Sequence, residues 1–242
     1  MEARKLDPGH GRQWISEGWV IFKKSPMLWV ALSALFAIGP VLLSAVPVVG
    51  EPLAALLVPV LVGGLMLGCR AIERGEPLTI GHLFAAFHQR TQQLVALGGI
   101  ALVWALLTEV VMRLLGGTAL VEVLETAQPE DDPAAVLNAL AGASGAWLAG
   151  GAMMAVYLMA MMFAPMLVLF DSMGPVAALK TSVKACLDNV GPLFVYALII
   201  TLLLVLTVIT MGLGAVILVP LSQTSAYAAY RDIFTARGGS ST

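Results

Sequence analysis

Long uncharged, apolar runs separated by short charged segments constrain the fold of this chain more than any other feature. Hydrophobic residues make up 59% of its 242 residues, whereas Asp, Glu, Lys and Arg make up 12%. A soluble domain carries about twice that fraction of charged residues. The sequence therefore predicts an all-α, polytopic membrane protein in which residues 1–242 form a single integral membrane domain.

Six of these runs are long enough, or nearly so, to cross a bilayer, because a hydrocarbon core of about 30 Å needs roughly 20 helical residues. They lie at residues 27–46, 53–69, 94–115, 146–170, 193–210 and 213–230. Pro47 and Gly50 indicate a turn after the first run, and Met211 with Gly212 separates the last two. We expect six transmembrane helices in three hairpins, since one bent helix over the last two runs would be about twice as long as the membrane is thick.

The positive charges predict the orientation of these spans. Of the thirteen Lys and Arg residues, all except Arg113 lie before the first span, after the second, after the fourth or after the sixth. Lys and Arg accumulate in cytoplasmic loops, so both termini are expected in the cytoplasm. The first run is too long for the apolar region of a signal peptide and lacks a small-residue cleavage pattern. The expected location is the bacterial inner (plasma) membrane, with a multi-pass topology.

A short stretch with helical periodicity precedes each hairpin, at residues 11–24, 79–91 and 175–190, and Thr79 can cap the second. Their apolar faces comprise Trp14, Ile15, Trp19 and Phe22, then Ile80, Leu83, Phe84 and Phe87, then Val176, Leu179, Val183, Cys186, Leu187 and Val190. This amphipathic composition is typical of helices in the headgroup layer. The residues expected to contact anionic phospholipid headgroups are Arg12, Lys23, Lys24, Arg90, Lys180 and Lys184.

The first and third hairpins share sequence detail that indicates an internal repeat. Leu57-Val58-Pro59 and Leu218-Val219-Pro220 lie 161 residues apart, as do Arg70 and Arg231. Repeats of the same orientation suggest a pseudo-symmetric bundle about an axis along the membrane normal. The alternative is that any multi-span protein carries such prolines and amphipathic loops.

Several segments resemble an uncharacterised family of bacterial six-span inner-membrane proteins. They are Pro26–Trp29, Gly63–Ala71, Gly75–Leu78, His82–Phe87 and Ala226–Phe234. The resemblance covers nearly the whole chain except the segment between the third and fourth spans. It implies membership and topology, and it carries over no activity and no catalytic residue.

Glu109 is the acidic residue that lies well inside a predicted span, where a carboxylate is costly and often functional. Arg113 follows it by one helical turn, in the favourable order for an ion pair. An ion pair that closes the helix end is the first interpretation. A proton- or cation-linked site is the alternative, and it would need a second polar partner.

Motifs for catalysis or metal binding are absent from the sequence. The fourth span contains Met153, Met154, Met159, Met161, Met162 and Met166, which could serve a Cu(I) pathway but also suit adaptable packing. His10, His82 and His88 are poorly spaced for a shared metal, and Cys69 and Cys186 are expected to be packing residues. We therefore expect no enzyme activity, no cofactor, no metal and no nucleic-acid partner.

Small residues indicate where helices approach each other. Gly64 and Gly68 form a GxxxG pattern in the second span, which predicts internal helix packing, with a homo-oligomer interface as the alternative. Pro40, Pro59, Pro165 and Pro220 fall within spans and should bend them.

The segment between the third and fourth spans, residues 116–145, is predicted to be an acidic external loop with short helices. Its carboxylates are Glu122, Glu125, Glu130, Asp131 and Asp132. Asp132-Pro133 can cap and open a helix that runs to about Leu140. A solvated loop is the first interpretation, and a periplasmic protein contact is the alternative.

The sequence favours a non-enzymatic membrane protein that acts by contact, as a scaffold, accessory subunit or regulator. Basic interfacial helices would bind anionic lipid, and a membrane or periplasmic protein would be the partner. The alternative is a transporter or channel for an apolar or lipid-like substrate. An enzyme would require a polar cluster assembled from several spans.

Overall fold

A computed structural model describes residues 3–117 and 133–235, with only the backbone of residues 133–140. The elements are α1 (His10–Lys23), α2 (Pro26–Ser44), α3 (Gly50–Glu73), α4 (His82–Ala85), a 3₁₀ turn (Ala86–His88), α5 (Thr91–Leu114), α6 (Pro133–Phe170), α7 (Pro175–Asp188), α8 (Val190–Ile209) and α9 (Ala215–Phe234). No strand occurs within these described ranges, so the all-α prediction is confirmed there.

Five of the described helices are long and apolar enough to cross a membrane: α2, α3, α5, the Ala141–Phe170 part of α6, and α8. Their most apolar windows have mean hydropathies from 2.1 to 2.7. Helix α9 is not among them, because Ser222, Gln223 and Thr224 begin a polar second half. The membrane-protein prediction is therefore confirmed in its coarse form, and the sixth span stays a prediction.

The turns between helices follow ordinary helix-ending chemistry. Helix α3 ends in a Schellman motif, with Gly75 at φ +78° and its N–H bonded to the Ile72 carbonyl. A similar turn with Met211 and Gly212 at positive φ separates α8 from α9. The last two apolar runs are thus two helices, as the sequence indicates.

Two helix predictions are wrong. The expected helix over residues 79–91 is only α4 and the 3₁₀ turn, because Gln89 is extended and Arg90 lies at φ +54°. The expected short helix from Pro133 to about Leu140 continues without a break to Phe170. An alanine-rich sequence propagates a helix readily. The acidic residues of the predicted external loop precede Pro133 and lie outside the described residues.

The chain divides into two compact units, Met1–Gly99 with Met159–Thr242, and Ile100–Leu158. The first unit buries its largest side chains where α1, α3, α9 and the end of α6 pack together. Among the fully buried residues there are Trp14, Leu65, Met66, Phe163, Leu167 and Ile233. Helix α8 contrasts with this region, since only 11% of its most apolar window is buried.

The second unit contains most of α5 and most of α6. Arg113 Nη2 lies 2.6 Å from Glu109 Oε1 within α5, and both side chains are more than half exposed. A Cβ added to Gly150 would lie 2.8 Å from Met112 Sδ, so α6 passes close to α5 at that point.

Candidate functional site

Helix α1 packs backbone to backbone against α8 and α9. A Cβ on Gly18 would lie 2.6 Å from the Ser225 nitrogen, and one on Gly11 would lie 2.2 Å from the Pro192 carbonyl oxygen. Trp14 is fully buried in this contact, whereas Trp19 is 38% exposed. The periodicity of α1 therefore identifies its buried face only in part, because Trp14 and Phe22 are buried together with Gly11, Gly18 and Ile21.

Arg231 of α9 joins three helices through ion pairs. Its Nη2 donates to Glu17 of α1, and its Nη1 donates to Glu73 at the end of α3. Burial alone would lower the pKa of Arg231, but the charges of Glu73 and Glu17 outweigh it and raise the pKa. The guanidinium therefore stays charged and bridges two carboxylates from distant parts of the sequence.

Two tyrosines of α9 extend this network. The Tyr227 hydroxyl donates to Glu73 Oε2, and the Tyr230 hydroxyl donates to Asp171 Oδ2, both at 2.6 Å. We call Glu17, Glu73, Asp171, Tyr227, Tyr230 and Arg231 the polar cluster. It connects α1, α3, α9 and the turn between α6 and α7.

A cavity of 360 Å³ opens beside the polar cluster. Arg70 lines it, with its guanidinium carbon 4.9 Å from the centre of the Phe170 ring. Arg74 follows the last residue of α3, four positions after Arg70, and also lines the cavity. This geometry places cationic donors in a concave, partly polar site.

The N-terminal segment is fixed beside the polar cluster by Asp232 and Asn189. Asp232 Oδ2 accepts a hydrogen bond from Trp14 Nε1 at 2.8 Å and lies 2.7 Å from His10 Nδ1. The buried Asn189 side chain accepts from the Leu6 N–H at 2.9 Å and donates to the Arg4 carbonyl at 2.8 Å. These contacts hold residues 4–14 against α7 and α9.

Helix α7 packs through its small side chains. Ser182 Oγ donates to the Met159 carbonyl at 2.6 Å, and Cys186 lies beside it on the same buried face. Burial raises the pKa of Cys186 to about 12, which the hydrogen bond with Ser182 opposes only in part. The opposite face exposes Val176 and Leu187, each 58% exposed.

The residues predicted to contact headgroups do not form a single site. All six are exposed: Arg12, Lys23, Lys24, Arg90, Lys180 and Lys184. Lys24 Nζ lies 3.4 Å from the Ile72 carbonyl, whereas Lys180 and Lys184 lie on α7. Their contact with lipid stays a prediction.

Gly64 and Gly68 lie against the segment that contains α4. A Cβ on Gly64 would lie 2.1 Å from the Leu83 carbonyl oxygen, and one on Gly68 would lie 2.9 Å from the Leu78 side chain. The close approach therefore occurs within the first unit. Among the described residues, no group of three His, Cys, Asp or Glu side chains could hold a metal ion.

A second cavity of 430 Å³ is almost wholly apolar. It lies between α2 and α3, beside Pro40 and Leu57, and Phe84 and Phe87 close one side. The exposed face of α4, with Phe84 52% exposed, therefore contributes to a groove that an acyl chain could occupy.

Sequence reasoning missed the polar cluster. Glu73 and Asp171 end apolar runs, where a carboxylate suits a helix exit, and Glu17 fits the polar face of an amphipathic helix. A usable signal was the series Tyr227, Tyr230, Arg231 and Asp232, which is unusually polar for the end of a span.

Comparison with known proteins agrees with a membrane location. The chain is 29% identical over 203 residues to a probable inner membrane protein of Burkholderia thailandensis, an alignment that covers 82% of this chain and 75% of that relative. No family model and no solved structure matches the chain. The similarity confirms the resemblance to bacterial inner-membrane proteins that the sequence indicates.

Proposed function

We propose that this chain is a non-enzymatic, six-span inner-membrane protein that serves as a lipid-anchored scaffold for partner proteins, with both termini in the cytoplasm. The polar cluster is the observation that carries this proposal. It joins four segments that the charge pattern assigns to the same side of the membrane: α1, the end of α3, the α6–α7 turn and the end of α9.

This convergence supports an even number of spans within the first unit. Helix α2 follows α1, which carries Glu17, and α3 ends at Glu73. Helix α8 begins against α1 near Pro192, and α9 ends with Tyr230 and Arg231. Helix α9 is less apolar than the other spans because its second half forms the polar cluster. The apolar first half of α9 is therefore the part that lies in the bilayer, and its polar second half packs at the cytoplasmic face.

Helix α7 supports anchoring to anionic lipid. Its buried face consists of Ala178, Ser182, Ala185 and Cys186, and Val176 and Leu187 are left exposed. Lys180 and Lys184 flank these exposed apolar residues. An exposed apolar strip with adjacent lysines fits the boundary between acyl chains and negatively charged headgroups.

Transport of a lipid-like substrate is the second candidate function, and the 430 Å³ apolar cavity favours it. Its volume lies within the range of about 300–1,000 Å³ common for ligand sites. The densely packed core near the polar cluster favours the scaffold instead, because large side chains such as Trp14, Phe163 and Leu167 fill it.

Cysteine labelling in intact cells tests the topology. The variants V48C, M211C and G9C each introduce a single cysteine into a C69A/C186A background. Each variant is treated with a membrane-impermeant maleimide. Val48 and Met211 are 92% and 96% exposed, and Gly9 has open space around it. We expect V48C and M211C to react in intact cells and G9C to react only after permeabilisation. Labelling of G9C in intact cells would contradict the proposal.

Mass spectrometry of nanodisc-extracted protein separates the two functions. Cross-linking in intact membranes before extraction should recover a partner protein at fixed stoichiometry if the chain is a scaffold. A single retained lipid, lost when Phe84 and Phe87 are replaced by alanine, would favour transport instead. These two residues line the apolar cavity and lie outside the polar cluster.

A further inference from the structure

The 360 Å³ cavity beside the polar cluster contains more cationic than anionic groups. Three arginines, Arg70, Arg74 and Arg231, line it against two carboxylates, Glu73 and Asp171. Both carboxylates already accept hydrogen bonds from tyrosines, and Glu73 is also paired with Arg231. The acidic groups of the cavity are therefore satisfied within the protein.

Arg70 and Arg74 lack such partners. Neither takes part in an ion pair among the described residues. They lie one turn apart near the end of α3, and like charges with this spacing repel each other. A bound anion would remove that repulsion, whereas the protein alone does not.

Arg70 also lies against an aromatic cluster. Its guanidinium lies over the Phe170 ring, which in turn packs against Tyr227 and Tyr230 at centroid distances of 6.2 Å and 5.6 Å. A planar guanidinium held over an aromatic ring can donate two parallel hydrogen bonds to an oxyanion. The aromatic residues thus position the arginine rather than merely filling space.

We propose that this cavity binds a phosphate group, with Arg70 and Arg74 as its ligands. Arginine is the side chain best suited to bidentate recognition of phosphate. The cavity volume, at the low end of the range for small-molecule sites, leaves room for the organic group that carries the phosphate. A phospholipid headgroup and a soluble organic phosphate share this chemistry.

The test uses the full chain, wild type and R70Q/R74Q, with R113Q as the control. The control removes an exposed arginine of α5 that does not line the cavity. In one arm, pyrophosphate is titrated onto detergent-solubilised protein by calorimetry. In the other, native mass spectrometry counts phosphatidylglycerol molecules retained after mild extraction. Pyrophosphate binding indicates a soluble ligand, and retained lipid indicates a headgroup.

We expect R70Q/R74Q to weaken binding by about tenfold or more in at least one arm, because two charge-assisted contacts are lost. R113Q should change that arm by less than about twofold, since solvent screens an exposed charge that does not line the cavity. The proposal is overturned if R70Q/R74Q binds as wild type in both arms, or if the control loses as much affinity.

A second variant covers the case in which R70Q/R74Q fails to fold. R70K/R74K keeps both charges but removes the planar forks of the two guanidinium groups. We expect it to fold and to bind about three- to tenfold more weakly than wild type. Unchanged affinity in R70K/R74K would contradict the assigned role of the two guanidinium groups.

Discussion

The contact region between α1 and α9 and the outer surface of α8 obey different packing rules. In the first, Trp14, Ile233 and their neighbours are fully buried against protein, and the backbones touch at Gly18. In the second, Leu202 and Val208 are 61% and 71% exposed on an apolar helix. A bilayer solvates apolar side chains as well as protein does, so α8 needs few protein partners.

This contrast shows where the free energy of tertiary folding resides. The hydrophobic effect acts where burial removes apolar surface from water. In the proposed topology, that condition applies at the end of the first unit that carries the polar cluster. Charged and polar side chains are also joined there, by Arg231 and by Asp232. We therefore expect substitutions at this end to change stability far more than equal substitutions on the lipid-exposed helices.

The largest effect is expected from G18A. The added methyl group would meet the Ser225 backbone at 2.6 Å, so α1 must shift away from α9. Overpacking of this kind costs about 1–3 kcal/mol. Thermal unfolding in nanodiscs measures the change.

G39A is the matched control, because Gly39 lies in α2 with nothing within 4 Å of the added methyl group. Alanine is the better helix former by about 1 kcal/mol, so G39A should be neutral or slightly stabilising. If G18A and G39A lose similar stability, the contact between α1 and α9 is no more tightly packed than the surface of α2 at Gly39.

The next largest effect is expected on association with lipid rather than on the stability of the fold. Loss of Lys180 and Lys184 from the exposed face of α7 should weaken association with anionic lipid by about 1 kcal/mol per charge. Quenching of tryptophan fluorescence by brominated phosphatidylglycerol, compared with brominated phosphatidylcholine, measures this selectivity. R113Q is the control, since Arg113 lies in the second unit. Equal selectivity in wild type and K180Q/K184Q would argue against an interfacial role for α7.

Cys186 provides a pH-dependent measure of burial at the same end. Its pKa is raised from 9.0 to about 12 in the folded protein, so the folded chain keeps a proton that the unfolded chain releases above pH 9. Stability from this source is complete below pH 9 and falls as the pH rises toward 12. We expect a loss of about 1–2 kcal/mol at pH 10.5 relative to pH 8.

The C186A variant isolates this contribution, because tyrosines and lysines also titrate in that range. The difference between wild type and C186A in unfolding free energy should narrow between pH 8 and pH 10.5. A difference that stays constant over this range means that the thiol is not protected by burial at the α6–α7 contact.

Much of the fold could be predicted because it is encoded locally. Runs of about 20 apolar residues set the spans, and Pro26, Gly75 and Met211–Gly212 mark where helices begin or end. The polar cluster could not be predicted in this way. Arg231 pairs with carboxylates that lie 158 and 214 residues away in the sequence. Helical periodicity predicts which face of a helix is apolar, but it does not predict which residues pack against that face.

The segments that carry the family resemblance show the same limit of sequence-based prediction. Gly63–Ala71 and Ala226–Phe234 were recognisable as sequence, and they contain Arg70, Tyr227 and Arg231. Only the structure brings these stretches to one cavity. The family resemblance therefore covers part of the polar cluster without indicating that these residues meet.

The smallest effect compares the two ion pairs that the helices carry. R231Q should cost about 1 kcal/mol, because Glu17 and Glu73 lose a shared partner at a site where solvent still screens the 40% exposed arginine. R113Q should cost about 0.3–0.5 kcal/mol, as is usual for an exposed pair within one helix. Double-mutant cycles with E73Q and with E109Q measure the two coupling energies. Equal couplings would mean that joining α1, α3 and α9 through Arg231 stabilises the protein no more than a pair within a single helix does.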